Sequence, residues 1–168
     1  MKLISVRTII NPISLQDLAE ILEMYQEPDS FKYIAPHKDK SIAYYQNFLN
    51  GKIEANKLQN GFWVVRDNNS NEFIGTVNLN QFMQTDMFHV GCHLRTKFWN
   101  QGYAKELCEV LIEYGAKVMM LSEIHGVVED GNIVSTKLMK SLGFELKEAK
   151  VIDECLLNIY HFNYNSIK

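Results

Sequence analysis

The chain is 168 residues long, 46% hydrophobic and 22% charged, with a formal net charge of −3. That length is expected to form one domain over 1–168 with a core of its own, and the composition is not that of a disordered chain. The negative balance argues against a nucleic-acid partner held by a basic surface.

Cys92, Cys108 and Cys155 lie far apart in sequence and form no CxxC pair, so free thiols are expected rather than a zinc ribbon or a thioredoxin-type site. The opening "MKLISVRTIINP" is interrupted by Ser5, Arg7 and Asn11 and is too short for a signal peptide. No stretch reaches the roughly 18 apolar residues of a membrane span. A cytoplasmic protein with no membrane partner is the expectation.

In chain order, Lys2 to Ile10 reads as a first strand. Ser14 then caps a helix, with Asp17 three residues on and Leu15, Leu18, Ala19 and Leu22 as its apolar face. Residues 26–40 read as loop, and Ser41 to Ala55 as a second helix with Ile42, Tyr45 and Leu49 on one side. The period then shifts towards two. "GFWVVRD", "EFIGTVNLNQ" and "DMFHVGCHLRT" predict three antiparallel strands, with "NNSN" as the first hairpin turn.

Next comes "FWNQGYAKELCEVLIEYG", in which a helix starts at Gly102 with Leu107, Val110, Leu111, Tyr114 and Val118 as its buried stripe. Glu113 and Lys117 form an i, i+4 pair on its wet side. "SEIHGVVED" predicts a strand, followed by a short helix from about Asn132 that carries Val134, Leu138 and Leu142 and is stopped by Gly143. "FELKEAKVIDE" and "CLLNIYHFNY" complete the chain as strands. The order β-α-α-β-β-β-α-β-α-β-β implies a mixed sheet with helices on its faces.

Gly102 leaves the amides at the start of its helix uncovered by any side chain, and such a terminus attracts phosphate. A sharp turn alone would also account for a lone glycine. There is no GxGxxG, and Gly51-Lys52 is followed by Ile53, so neither a dinucleotide fingerprint nor a P-loop is present.

The three-strand meander before this helix, the "W-x-x-G-Y-A" of Trp99, Gly102, Tyr103 and Ala104, and Asn132, Ser135 and Leu142-Gly143-Phe144 downstream change the balance. Together they resemble the GCN5-related N-acetyltransferase superfamily, in particular the branch of the ribosomal-protein N-terminal acetyltransferases. The resemblance runs from end to end. It implies an α/β (α+β) fold with a mixed, mostly antiparallel sheet of about six to seven strands and helices on both faces. It also implies transfer of an acetyl group from acetyl-CoA, as co-substrate, to a primary amine, which attacks the thioester directly. The acceptor is a peptide N-terminus or a small molecule, and the protein a monomer or a homodimer. A catalytically idle acyl-CoA-binding module on the same fold is the alternative.

By the same resemblance, the amides of Gln101, Gly102, Tyr103, Ala104 and Lys105 hold the pyrophosphate. The backbone of Leu94 and Thr96 meets the pantetheine arm, and Asn132 and Ser135 contact the cofactor. Two positions depart from the pattern. Trp99 stands where relatives carry Gln or Arg, which leaves the main-chain contacts intact. The tyrosine that many relatives use as general acid falls near Met139, which directs attention to Ser135 as proton donor to sulfur. Capping the helix they begin is the alternative role for Asn132 and Ser135.

The strand from Phe88 to Thr96 contains no carboxylate base and offers His89 and His93. His93 is the catalytic candidate, with a structural hydrogen bond as its alternative role. Four residues apart on a strand, the two histidines lie roughly 13 Å apart, too far to share one metal ion. A neutral α-amine at pH 7 costs about 1.4 kcal/mol and a neutral lysine about 4.6 kcal/mol, so a site of modest basicity suits the α-amine. Phe31, Tyr33, Tyr44 and Tyr45 sit where relatives build the acceptor pocket, although by spacing alone they are core residues.

Overall fold

The computed structural model describes residues 1–56, 61–83 and 85–164. The N-terminal segment is a small hairpin rather than one strand: β1 (Leu3–Ile4) pairs antiparallel with β2 (Thr8–Pro12). The expected strand over Lys2–Ile10 breaks at Ser5. Its N–H donates to the Thr8 carbonyl at 2.9 Å, and its hydroxyl accepts from the Thr8 N–H at 3.0 Å. The Glu106 carboxylate, far along the chain, fixes this turn by accepting from the Arg7 N–H at 2.8 Å.

Ser14 and Asp17 cap the next segment: Asp17 accepts from the Ser14 N–H at 2.9 Å and from its hydroxyl at 2.7 Å. A 3₁₀ turn then leads into α1 (Leu18–Tyr25), and a loop with one more such turn precedes α2 (Ile42–Asn56). The meander is as expected, with β3 (Gly61–Asp67), β4 (Phe73–Gln81) and β5 (Phe88–Leu94). After it come α3 (Tyr103–Lys117), β6 (Glu123–Glu129), α4 (Ile133–Ser141), β7 (Glu145–Ile152) and β8 (Cys155–Asn163). Asp153 and Glu154 both have positive φ, 48° and 65°, and form the tight turn between β7 and β8.

Among the described residues the strands form one eight-stranded sheet in the order β1-β2-β3-β4-β5-β6-β8-β7, parallel only between β5 and β6. The split of the first strand adds the extra member. Each face of the sheet carries its own core. On one face α3 and α4 cover Ile10, Trp63, Val77, Val90, Leu94 and Ile124. On the other, α1 and α2 cover Ile13, Phe62, Val64 and Phe73. Alternation along β5 sends Val90 and Leu94 to the α3 face and His93 to the α1 face.

Four large side chains expected on apolar helix faces are solvent-facing instead, Leu15 and Ile42 among them at 69% and 53%. Val118 is 54% exposed because α3 ends at Lys117, and Val134 is 69% exposed in the first turn of α4. Cys108 and Met139 fill the buried stripes of the two helices. Among the described residues no helix is long and apolar enough to cross a membrane.

Candidate active site

The parallel pairing of β5 with β6 consists of two residue pairs, His89 with His125 and Val90 with Gly126. Beyond Val90 the strands part, and β6 continues on β8 alone. The Arg95 N–H donates to the Ile74 carbonyl at 2.9 Å, which sets the alternation of the β4–β5 ladder. Odd-numbered residues of β5 therefore bond to β4, while Cys92 and Leu94 turn their main-chain groups to the open side. The Leu94 carbonyl there accepts from the Trp99 indole N–H at 2.9 Å. What remains is a short edge of main-chain donors and acceptors between two splayed strands.

The chain leaves this edge through a tight loop, with φ of 58° at Asn100 and 82° at Gly102. The second angle lies in the left-handed region that favours glycine. A Cβ added at Gly102 would meet only the Arg7 guanidinium, at 3.7 Å, so the space above it is open and the turn alone is enough to require glycine. Among the described residues no side chain caps α3. Among the described residues nothing accepts from the N–H groups of Tyr103, Ala104 and Lys105. The Gln101 side chain folds back to donate to the Lys97 carbonyl at 2.6 Å, and Lys105 lies 3.9 Å from Glu109 on the exposed face.

Arg7, which no motif in the sequence marks, braces this loop. Its guanidinium lies 3.9 Å from the Tyr103 ring centroid, donates to the Gln101 carbonyl at 3.1 Å and pairs with Glu106 at 2.7 Å. Burial pushes the Glu106 carboxyl up, but hydrogen bonds from Ser5 and Arg7 outweigh it and hold the group below the usual carboxylate range. Nothing in the local spacing around Arg7 signals a partner on α3.

β5 and β6 run parallel, so α3 and α4 both begin at the C-terminal edge of the split. The structure thus brings Leu94, residues 101–105, Asn132 and Ser135 to one edge. Asn132 caps α4, its Oδ1 accepting from the Ser135 N–H at 3.1 Å. The Ser135 hydroxyl has no partner among the described residues. Met139 is buried against Gly126, where an added Cβ would come within 2.2 Å of the methionine sulfur. Cys92 and Cys108, distant in sequence, face each other between β5 and α3, and the thiol–thiol hydrogen bond, with burial, pushes Cys108 up.

His93 lies across the sheet from these helices. Its Nε2 sits 2.8 Å from the Ser30 hydroxyl, Tyr25 stacks on its ring at 5.2 Å, and Phe31 meets it edge-on at 5.0 Å. Burial pulls the imidazole down to about 4, opposed by Ser30 and Glu27 and aided by His37. His89 also falls to about 4 through burial, but both of its nitrogens have partners. Nδ1 lies 3.0 Å from the Asn80 carbonyl and so donates to it, and Nε2 accepts from the Asn78 amide at 3.1 Å.

Glu27 ties the turn after α1 to the end of β5. Its carboxylate accepts from the Arg95 guanidinium at 2.6 Å, the Thr96 N–H at 2.8 Å and the Thr96 hydroxyl at 3.0 Å. Both donors of Thr96 are therefore occupied by Glu27. Beside this turn lies a cavity of about 450 Å³ lined by Tyr25, Ser30, Phe31, Lys38, Asp39 and Tyr45. Phe31 and Tyr45 are buried in its wall, whereas Tyr33 and Tyr44 are exposed. A larger hollow of about 580 Å³ lies between Pro12–Gln16 and the side chains of Ile53 and Asn56, with no titratable lining residue among the described residues.

The acetyltransferase (GNAT) domain family matches residues 7–145, which include the split sheet, the α3 loop and α4. The chain belongs to this family. It is an acetyl-CoA-dependent N-acetyltransferase that moves an acetyl group to an amine. Along its length it is similar to an uncharacterized N-acetyltransferase, p20, of Bacillus licheniformis, with 27% identity over 94% of this chain and 92% of that protein. Two solved structures share the fold at low identity. RimL, a ribosomal L7/L12 α-N-protein acetyltransferase in complex with coenzyme A, has a TM-score of 0.81 at 12% identity, over 97% of this chain and 98% of that one. Spermidine N-acetyltransferase from Vibrio cholerae, with coenzyme A and spermine, has a TM-score of 0.80 at 16% identity, over 95% and 96%.

Proposed function

We propose that this N-acetyltransferase prefers α-amines, such as peptide N-termini, and that His93 accepts the proton the amine loses. The observation that carries the reading is the His93 imidazole, held neutral at about 4 on a strand without a carboxylate. Moving a proton from an α-ammonium near 8 to an imidazole near 4 is uphill by about 5 kcal/mol. His93 therefore does not deprotonate the free ammonium. The amine arrives neutral, and the imidazole takes its proton as the N–C bond forms and the N–H becomes acidic. A neutral α-amine is affordable on those terms at about 1.4 kcal/mol, and a neutral lysine, at about 4.6 kcal/mol, is not.

Acetyl-CoA supplies the electrophilic thioester carbonyl and a thiolate leaving group. In this reading the amides of residues 101–105 cradle its diphosphate, and the open edge at Cys92 and Leu94 pairs with the pantetheine arm. Thr96 has no part, since its N–H and hydroxyl are donated to Glu27. Ser135, whose hydroxyl has no partner among the described residues, protonates the departing sulfur from the start of α4 and regains its proton from solvent. Asn132 positions it through the cap. The cavity beside Tyr25 and Phe31 receives the acceptor.

Release of free thiol from acetyl-CoA tests the preference, with peptides bearing a free N-terminus, N-blocked peptides bearing lysine, and a polyamine. The expected result is a kcat/KM at least tenfold higher for free N-termini. Equal turnover of N-blocked lysine peptides or of the polyamine refutes the reading.

A further inference from the structure

We infer that Ser30 is a positioning residue for acetyl transfer: its hydroxyl accepts the Nε2 proton of His93, which leaves the Nδ1 lone pair to take the proton of the amine. The inference rests on the proposed role of His93. Three observations support it. First, the Ser30 hydroxyl is 2.8 Å from Nε2 on a residue only 7% exposed, within reach to accept the ring N–H. Second, Nδ1 has no partner among the described residues, yet it is not one of their sealed, unpaired polar atoms.

Third, the placement is built rather than incidental. Asp29, with φ of 63°, turns the chain into Ser30, whose N–H donates to the Glu27 carbonyl at 3.2 Å. The Glu27 carboxylate in turn grips Arg95 and Thr96, two and three residues past His93 on the same chain segment. Tyr25 and Phe31 fix the ring plane. Serine and histidine are thus clamped together from two directions. The titratable groups facing the ring are Tyr25 of α1, Glu27 of the turn and His37 of the loop before α2.

In the transfer the amine N–H proton passes to Nδ1 as the N–C bond forms, the C–S bond breaks, and the departing thiolate takes the Ser135 hydroxyl proton, which solvent restores. The imidazolium keeps its Nε2–H on Ser30 and returns the Nδ1 proton to solvent when the amide product leaves. A group that fixes tautomer and orientation contributes to kcat rather than to binding.

The test combines steady-state kinetics with ¹⁵N NMR of the imidazole in wild type, His93→Gln, Ser30→Ala and Ser30→Thr. The expected result has four parts: an Nε2–H tautomer in wild type, mixed tautomers in Ser30→Ala, kcat lower by about ten- to a hundredfold with both KM values unchanged, and rescue by Ser30→Thr. A wild-type Nδ1–H tautomer, or a Ser30→Ala enzyme with unchanged kcat and tautomer, overturns the role of Ser30 alone. Unchanged kcat in His93→Gln overturns the role of His93 itself, and the inference with it.

Discussion

Replacing Gly102 separates its two roles, the turn it makes and the space it leaves open. With φ at 82°, any L-residue there adopts a left-handed conformation that costs about 1–2 kcal/mol. For a chain of this length that lowers the melting temperature by about 2–8 °C. An alanine Cβ would touch only the Arg7 guanidinium at 3.7 Å, so Gly102→Ala carries the conformational cost and little else. Gly102→Leu carries the same cost and also projects into the space over the α3 amides. Acetyl-CoA at a hundred times its dissociation constant stabilises a protein by about 2.7 kcal/mol. In wild type and Gly102→Ala the expected rise on adding acetyl-CoA is about 5–10 °C, and in Gly102→Leu there is none. Thermal scans of the three proteins with and without acetyl-CoA decide it. An equal rise in Gly102→Leu and Gly102→Ala refutes the argument that the diphosphate occupies that space.

Acid sensitivity follows from His89 and His93, whose folded values near 4 lie below the ordinary 6.5. Their stabilising contribution is complete above pH 6.5 and is lost as pH falls towards 4, by up to about 3 kcal/mol each. Urea titrations at pH 7 and pH 5 should show that fall, reduced in His89→Gln; a flat profile down to pH 5 contradicts the buried neutral assignment. Glu27→Gln removes the charge that holds Arg95 and Thr96, and a loss of about 1–3 kcal/mol in urea unfolding is expected. No loss would show that this contact is dispensable. Asn132→Ala should cost about 1 kcal/mol through the lost cap. Ser135→Ala should leave stability unchanged and lower kcat at constant KM for acetyl-CoA, and unchanged kcat would remove Ser135 as the acid.

The elements most legible in the sequence were those specified locally. "GFWVVRD" coincides with β3, and Asn132 and Gly143 bound α4 as capping chemistry requires. The N-terminal hairpin was not legible, because Ser5 is the one, weak turn former in Ser5-Val6-Arg7 and the turn is fixed by Glu106 on α3. Val134 followed a four-residue spacing that ignores where the sheet ends. Of the site, the α3 loop and α4 were marked by motifs, and Leu94 by its place on the strand before them. Arg7, Glu27 and Ser30 were hidden because each acts through a partner more than sixty residues away, and no periodicity encodes such a contact.

Backbone hydrogen exchange on adding coenzyme A tests the central claim most directly, because the proposed contacts are main-chain N–H groups. Exchange at Cys92, Leu94 and Tyr103–Lys105 should slow on binding, while Thr96, already donated to Glu27, stays as it was. Protection that appears elsewhere and leaves Leu94 and Tyr103–Lys105 unchanged would contradict the account.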